Sequence, residues 1–266
     1  MTARRSRRDF LKKTAACAGA LAGAQIFGAP YVLAADKASD KLRVAVIGCG
    51  GQGTGTHIPA ALNEHLVAIV DASEKCLANA LKRGAEVAKK SGLVFEPEKV
   101  RTFSDYRKLF DEMHKDIDAV SIATPNHHHA LPALLAMKLG KGAYVEKPMA
   151  YDIHEARLLA DKAAVYKVAT QMGNQGHSGE GYRRLCEYIW AGAIGKVTEV
   201  QCWSDRANGG VGPRPPTEPV PAGMNWDNWI GPAPFRDYHK DLHPHEWHGW
   251  HDFGDGSLGN MGCHVL

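Results

Sequence analysis

No apolar run in this 266-residue chain reaches the roughly 18 to 20 uninterrupted residues that a membrane-spanning helix requires, so the sequence offers no membrane span for the mature chain. Cysteine is scarce: there are six, none in Cys-x-x-Cys spacing, and the five beyond Cys17 (Cys49, Cys76, Cys186, Cys202 and Cys263) are odd in number. That excludes a disulfide framework and a zinc knuckle and leaves them as small packing residues. A basic stripe is missing from the body of the chain. Arg4, Arg5, Arg7, Arg8, Lys12 and Lys13 against Asp9 give residues 1–34 a balance of +5, so of the net +3 the remainder carries −2. A slightly acidic body has no field to draw a polyanion, which excludes nucleic acid as a partner. Internal repeats and low-complexity segments are absent beyond the N-terminal stretch. With 44% hydrophobic and 23% charged residues, the chain has ordinary globular usage, enough for one full domain and part of a second.

The N-terminus reads as an address. Ser6-Arg7-Arg8-Asp9-Phe10-Leu11-Lys12 matches the twin-arginine export pattern, a weakly apolar Ala/Gly-rich stretch runs from Thr14 to Ala29, and Val32-Leu33-Ala34 offers small residues for cleavage after Ala34. Residues 1–34 are expected to be a twin-arginine signal peptide, with the export machinery as partner and a periplasmic or otherwise exported destination. Cys17 lacks the large aliphatic residue usual three positions earlier in a lipid-attachment site, which sets a lipoprotein aside.

From Lys41 short apolar runs alternate with amphipathic stretches, the pattern of a parallel sheet covered by helices. The runs are Leu42 to Ile47, Leu66 to Val70, Ala119 to Ala123, Ala143 to Val145 and Val168 to Met172, and their continuous Val/Ile/Ala character suits strands buried on both faces. Helices are expected at about 53 to 63, 74 to 91, 104 to 114, 128 to 140 and 152 to 166, with a further one at about 179 to 191. Lys89-Lys90 before Ser91-Gly92 mark a helix C-terminus, and Asp152 with Glu155 a capping pair. The alternation of Gly195 to Ser204 predicts a strand of a second domain. Residues 205 to 257, rich in Pro, Gly, Trp and His, read as a long ordered loop. The chain stops at Gly262-Cys263-His264-Val265-Leu266 within an apolar run, and is expected to be a fragment of a longer protein.

Directly after the first strand comes Gly48-Cys49-Gly50-Gly51-Gln52-Gly53, a Gly-x-Gly-x-x-Gly pattern. Alone it would be weak. Here it follows a strand, opens a helix, and precedes by 23 residues Asp71 at the end of the next strand, completing the dinucleotide fingerprint. Gly48 turns the chain, Gly50 lets the backbone approach a pyrophosphate, and Gly53 lets helix pack tightly on strand, with the helix N-terminus favouring phosphate. The expected cofactor-binding set therefore includes Gly48, Gly50, Gln52, Gly53 and Asp71. The Asp71 carboxylate would accept the ribose hydroxyls and repel a 2′-phosphate, which favours NAD over NADP, with Lys75 keeping NADP possible.

Two further motifs end later strands, where open α/β sheets bind ligands: Ala123-Thr124-Pro125-Asn126-His127-His128-His129 and Glu146-Lys147-Pro148. Together with the fingerprint they resemble the glucose-fructose oxidoreductase, inositol dehydrogenase and MocA (Gfo/Idh/MocA) family. The resemblance continues through Gln171-Met172-Gly173-Asn174-Gln175, Trp226-Asp227-Asn228-Trp229-Ile230-Gly231-Pro232-Ala233-Pro234 and Gly256-Ser257-Leu258-Gly259-Asn260-Met261-Gly262-Cys263-His264, covering essentially residues 41 to 266. It implies an α/β fold class: a Rossmann-type doubly wound parallel sheet, then the start of an α+β domain with an open, mainly antiparallel sheet. The corresponding domains are an NAD(P)-binding domain over 41–172 and an incomplete first part of the substrate domain over 173–266.

By the same resemblance, Lys147 is the catalytic or substrate-orienting lysine, and His264 the general base that takes the hydroxyl proton while hydride leaves for the nicotinamide. Asn260 stands where many members carry Asp, and it can orient a hydroxyl but not accept a proton at neutral pH. Thr124, Pro125, Asn126 and His129 match the segment bordering the cofactor, with Glu146 and Lys147 beside them, and Asn174 ends the following strand facing the same cleft. The His triplet also admits a plainer reading, a first helical turn with two solvated imidazoles. Trp226, Trp229, Trp247 and Trp250 could stack on a sugar but read equally as packing. A metal reading of His243, His245, Glu246, His248 and His251 is set aside, because the spacing fits no helical His-x-x-x-His pair.

The expected activity is NAD(P)-dependent hydride transfer at a hydroxyl carbon of a sugar, cyclitol or derivative, a carbohydrate-like small molecule. Two alternatives stand beside it: an NAD-dependent redox-neutral glycosidase of the same family, and a non-catalytic nucleotide- or sugar-binding protein. The resemblance further implies a homo-oligomer for the full-length protein.

Overall fold

A computed structural model describes residues 41–206 and 212–266. The twin-arginine stretch lies outside the described residues. Six strands form one parallel sheet in the order β3-β2-β1-β4-β5-β6, comprising β1 (Arg43–Ile47), β2 (His65–Val70), β3 (Arg101–Phe103), β4 (Ala119–Ile122), β5 (Gly142–Glu146) and β6 (Thr170–Gly173). The strand order reverses between β1 and β4, so a crevice opens at their carboxyl ends.

The helices are α1 (Ile58–Ala61), α2 (Glu74–Ser91), α3 (Tyr106–Met113), α4 (Ala130–Lys138), α5 (Ile153–Tyr166), α6 (Glu180–Trp190), α7 (Trp226–Ile230) and α8 (Cys263–Val265). Local chemistry sets their ends. Ser73 caps α2 by accepting the Cys76 N–H, Lys89 and Lys90 occupy its last turn, and Gly92 closes it at φ +67°. Asp152 accepts the Glu155 N–H at 2.7 Å while the Glu155 carboxylate accepts the Tyr151 N–H at 2.9 Å, the reciprocal pair expected at the start of α5. The helix after the fingerprint begins with a wide π turn, Gly53–His57, before tightening into α1.

Both faces of the sheet are packed. Ala45, Ile47, Val120, Ile122 and Val145 meet Leu109, Phe110, Ala133 and Met137 in one layer; Val44, Val46 and Ile69 meet Ile58, Leu77 and Ala80 in the other. A third cluster joins Trp226, Trp229, Tyr238, Leu242, Trp247 and Phe253. This Trp-rich segment is tied to the sheet domain by an antiparallel bridge between Ser73 and Met224 and by the Asn225 N–H on Ala72 O at 2.8 Å. The four Trp are thus packing residues first: Trp226, Trp229 and Trp247 are buried, and Trp250 lies partly buried against the same cluster.

One strand was missed and one expectation needs correction. β3 was not read from the sequence. Residues 195–204, expected as a strand, run exposed with no ladder partner among the described residues, and an extended segment without partners for its N–H and C=O groups is not a strand. Among the described residues no helix is long and apolar enough to cross a membrane.

Candidate active site

A cavity of about 670 Å³ fills the crevice at the carboxyl ends of the strands. The fingerprint forms one side of it. Gly48 sits at φ +91°, and a Cβ there would lie 2.5 Å from the Ala123 carbonyl carbon. At Gly53 a Cβ would lie 1.8 Å from Gly48 O, so only hydrogen allows the turn to close on the strand end. Gly50 is the opposite case: a Cβ would meet nothing within 4 Å, and the residue faces the cavity. Two glycines are needed for the turn itself and the third leaves room beside the first N–H groups of a helix, which suits a pyrophosphate. Gln52 lines the same wall, its amide oxygen accepting the Thr56 hydroxyl at 3.2 Å.

Asp71 ends β2 and orders this turn. One carboxylate oxygen accepts the Cys49 N–H at 2.7 Å and the other the Ser73 N–H at 2.8 Å. Burial raises its pKa, opposed by those two N–H groups. The Cys76 thiol is a third donor to this carboxylate, which still leaves a lone pair for a ribose hydroxyl. These residues fit a dinucleotide.

Three strand spacings away in the order β2-β1-β4-β5, on the order of 14 Å, β5 ends in Glu146 and delivers Lys147 to the cavity. The Lys147 ammonium donates to the Asn260 backbone oxygen and to Asn260 Oδ1, both at 2.7 Å. Burial lowers the Lys147 pKa; Glu146 opposes that and Arg206 adds to it. Glu146 is itself buried, 4% exposed, and yet its pKa is lowered. Burial pushes its carboxyl upward, and the His57 hydrogen bond and charge, the Lys147 N–H and the Gln175 amide together outweigh that push. His264 lines the wall beside Asn260, with Nδ1 3.2 Å from Gln175 O. A carbonyl only accepts, so Nδ1 carries the proton and Nε2 is left as the basic nitrogen.

The remaining expected residues are placed less uniformly. Thr124, Pro125, Asn126 and His129 all line the cavity. Thr124 Oγ1 donates to His128 O at 2.9 Å and Asn126 Nδ2 to Asp255 Oδ2 at 3.0 Å. His129 is 1% exposed, with Nδ1 against Pro148 O at 2.5 Å and Nε2 against Thr124 O at 2.7 Å, so its polar atoms lock the two motifs together. The solvated reading of the other two imidazoles fails: His127 and His128 are both buried. His127 contacts Phe253 O and Trp229 O at 3.3 and 3.1 Å, and His128 packs under Gly231. Asn174 does not face the cavity; its amide donates to Cys263 O at 2.5 Å, and Gln175 takes the place at the wall. His57, which the sequence did not single out, contacts Glu146 Oε1 at 3.0 Å and Ser121 Oγ at 2.6 Å.

Comparison with known proteins agrees with this fold. The model of an oxidoreductase family with an NAD-binding Rossmann fold, Gfo/Idh/MocA, matches residues 42–174, and that of the family's C-terminal α/β domain matches residues 200–266. Levoglucosan dehydrogenase of Pseudarthrobacter phenanthrenivorans is 35% identical over 139 residues, which is 47% of this chain and 31% of that protein. Inositol 2-dehydrogenase 3 of Saccharopolyspora erythraea is 32% identical over 88 residues, 33% of this chain and 26% of that one. Glycosyl hydrolase family 109 protein 2 of Shewanella sp. strain ANA-3 is 36% identical over 126 residues, 47% of this chain and 26% of that one. The chain spans under a third of the length of each of these relatives.

Proposed function

Since the chain belongs to the Gfo/Idh/MocA oxidoreductase family, with an NAD-binding Rossmann fold, we propose that the protein is an NAD-dependent dehydrogenase acting on a hydroxyl carbon of a sugar, cyclitol or derivative. One observation carries the reading. A half-buried ammonium, Lys147 Nζ, is pinned by two oxygens of Asn260 in the same cavity as the glycine turn and Asp71. Gly48, Gly50, Gln52 and Asp71 would hold the dinucleotide, whose nicotinamide would supply the hydride acceptor or donor when bound. Lys147 orients the reacting hydroxyl by donating to its oxygen. Asn260 fixes the ammonium without neutralising it, and burial brings its pKa down towards the range where an amine exchanges protons. His264 Nε2 takes the hydroxyl proton as the carbon loses its hydrogen.

Support for a carbohydrate-like substrate comes from the levoglucosan and inositol dehydrogenases among the relatives. A second reading, cleavage of a glycoside without net redox change, has its support in the family 109 glycosyl hydrolases matched at similar identity. We further propose export by the twin-arginine route, on the strength of Arg7-Arg8 and the segment after them. That route carries folded proteins, so a tightly held cofactor can travel with the enzyme.

The test is to purify the protein, record the absorbance and fluorescence of bound NAD(H), and add a panel of sugars, cyclitols and aryl glycosides. Lasting reduction on adding a sugar or cyclitol is the expected outcome. Release of the aryl group without lasting reduction would establish the second reading, and full activity in Lys147→Met would overturn the assigned role of that lysine.

A further inference from the structure

Glu146 and His57 are a buried pair that the reaction does not use directly. His57 is 3% exposed and Glu146 4%, and a buried polar pair of this kind is weak evidence of a stabilising role, so its presence asks for another reason. The two belong to a line of hydrogen bonds that starts on β4 and ends at the reactive lysine. Ser121 Oγ is 2.6 Å from His57 Nδ1, and His57 Nε2 is 3.0 Å from Glu146 Oε1. The same Glu146 oxygen accepts the Gln175 amide at 3.0 Å, and the other accepts the backbone N–H of Lys147 at 3.2 Å. A carboxylate only accepts, so His57 Nε2 carries a proton, and Nδ1 is left to pair with the Ser121 hydroxyl, which can donate or accept. Every polar atom in the line then has a partner, which a buried network requires.

We propose that His57 is a positioning residue: braced by Ser121, it holds Glu146 as an oriented carboxylate, and Glu146 in turn anchors the backbone and sets the electrostatic surroundings of Lys147. The inference rests on the reading of Lys147 as the hydroxyl-binding group. The groups facing the pair are Ser121 from β4, Tyr144 from β5 with its ring edge-on to His57 at 5.6 Å, His129 at the head of α4, Gln175 beyond β6, and Lys147. Of these, the His57 interaction stands first among the influences that keep Glu146 ionised against its burial. Lys147 Nζ turns to Asn260 instead, so the carboxylate acts on the lysine through the backbone and at a distance.

The test titrates the Glu146 carboxyl by ¹³C NMR in the full chain, without substrate, in the wild type and in two polar variants. His57→Gln keeps an N–H donor near the position of Nε2; His57→Asn reaches Ser121 but not Glu146. In the wild type Glu146 is expected to titrate below the exposed glutamates. His57→Asn should move its midpoint upward by about one pH unit or more, whereas His57→Gln should leave it near the wild-type position. Equal midpoints in all three proteins would overturn the proposal, because a merely structural His57 would not separate the two variants by this signal. A parallel measurement follows the pH dependence of trace acetylation at Lys147, read by peptide mass spectrometry. Glu146→Gln should lower the Lys147 midpoint, and no change would remove Glu146's charge from the scheme. Both measurements need no activity, so a failure of the dehydrogenase reading, seen as an unimpaired Lys147→Met, is distinguishable from a failure of this one.

Discussion

Replacing Asn260 by aspartate places a carboxylate oxygen where Oδ1 now accepts the Lys147 ammonium at 2.7 Å, at nearly constant volume. The present acceptor is neutral, so it fixes the ammonium's position and adds no charge to offset burial, which lowers the Lys147 pKa. A carboxylate adds that charge. Two unit charges about 4 Å apart interact by about 4 kcal/mol at an effective dielectric constant of about 20, and solvent at the cavity mouth takes off about half of this. The Lys147 pKa should therefore rise by about 1 to 2 units. Trace acetylation across alkaline pH reads the midpoint directly, with the exposed Lys108 and Lys138 as internal references. In a working enzyme the alkaline limb of kcat should move up in parallel. An unchanged or lowered midpoint would refute the placement of Lys147 on Asn260 and with it the geometry of the proposed site.

The glycine turn gives a paired prediction. Gly53→Ala forces a Cβ to 1.8 Å from Gly48 O and should lose several kcal/mol of stability together with NAD binding, whereas Gly50→Ala, with nothing within 4 Å, should keep its Tm within a few degrees yet bind NAD at least about tenfold more weakly by fluorescence titration. Wild-type affinity in Gly50→Ala would show that no phosphate approaches that backbone. Acid should loosen the His-rich junction. Burial lowers the pKa of His127 to about 4 and that of His128 to about 3, so between the ordinary histidine value and those pKa values the unfolded chain binds protons that the folded chain does not. Stability falls as pH drops through that window, by about 3 kcal/mol for His127 alone. Urea unfolding should show the loss, and His127→Gln should remove much of its pH dependence.

The parts of this fold that are readable in the sequence are those where the backbone itself dictates residue type. Gly48 and Gly53 stand where a Cβ cannot fit, and the buried strands announce themselves as continuous apolar runs. β3 is three residues, Arg-Thr-Phe, two of them exposed at a sheet edge, which is too short to show a period. Gln175 takes the place expected of Asn174 for a related reason. The last strand ends at Gly173, one residue later than its apolar run suggests, and neighbouring side chains at a strand end point in opposite directions. A one-residue error in the boundary sends the expected amide away from the cavity.

His57, His127 and His128 were illegible for another reason, since their meaning comes from groups far away in the chain. A histidine four positions after the last fingerprint glycine carries no local sign of a carboxylate 89 residues later. His127 and His128 look like polar residues at a helix start and are instead buried, because Trp229 and Phe253 bring carbonyls and rings to cover His127, while Tyr106 and Gly231 pack on His128. The covering has a consequence for the chemistry. The segment that docks on these imidazoles runs on from Phe253 through Asp255, which Asn126 holds at 3.0 Å, to Asn260 and His264. The sheet domain supplies Lys147, and the docked segment supplies the oxygens that pin it and the imidazole beside it. The candidate site is therefore completed by packing between two stretches of chain, and a substitution at His127, which does not line the cavity, should alter the reactive geometry through the position of Asn260.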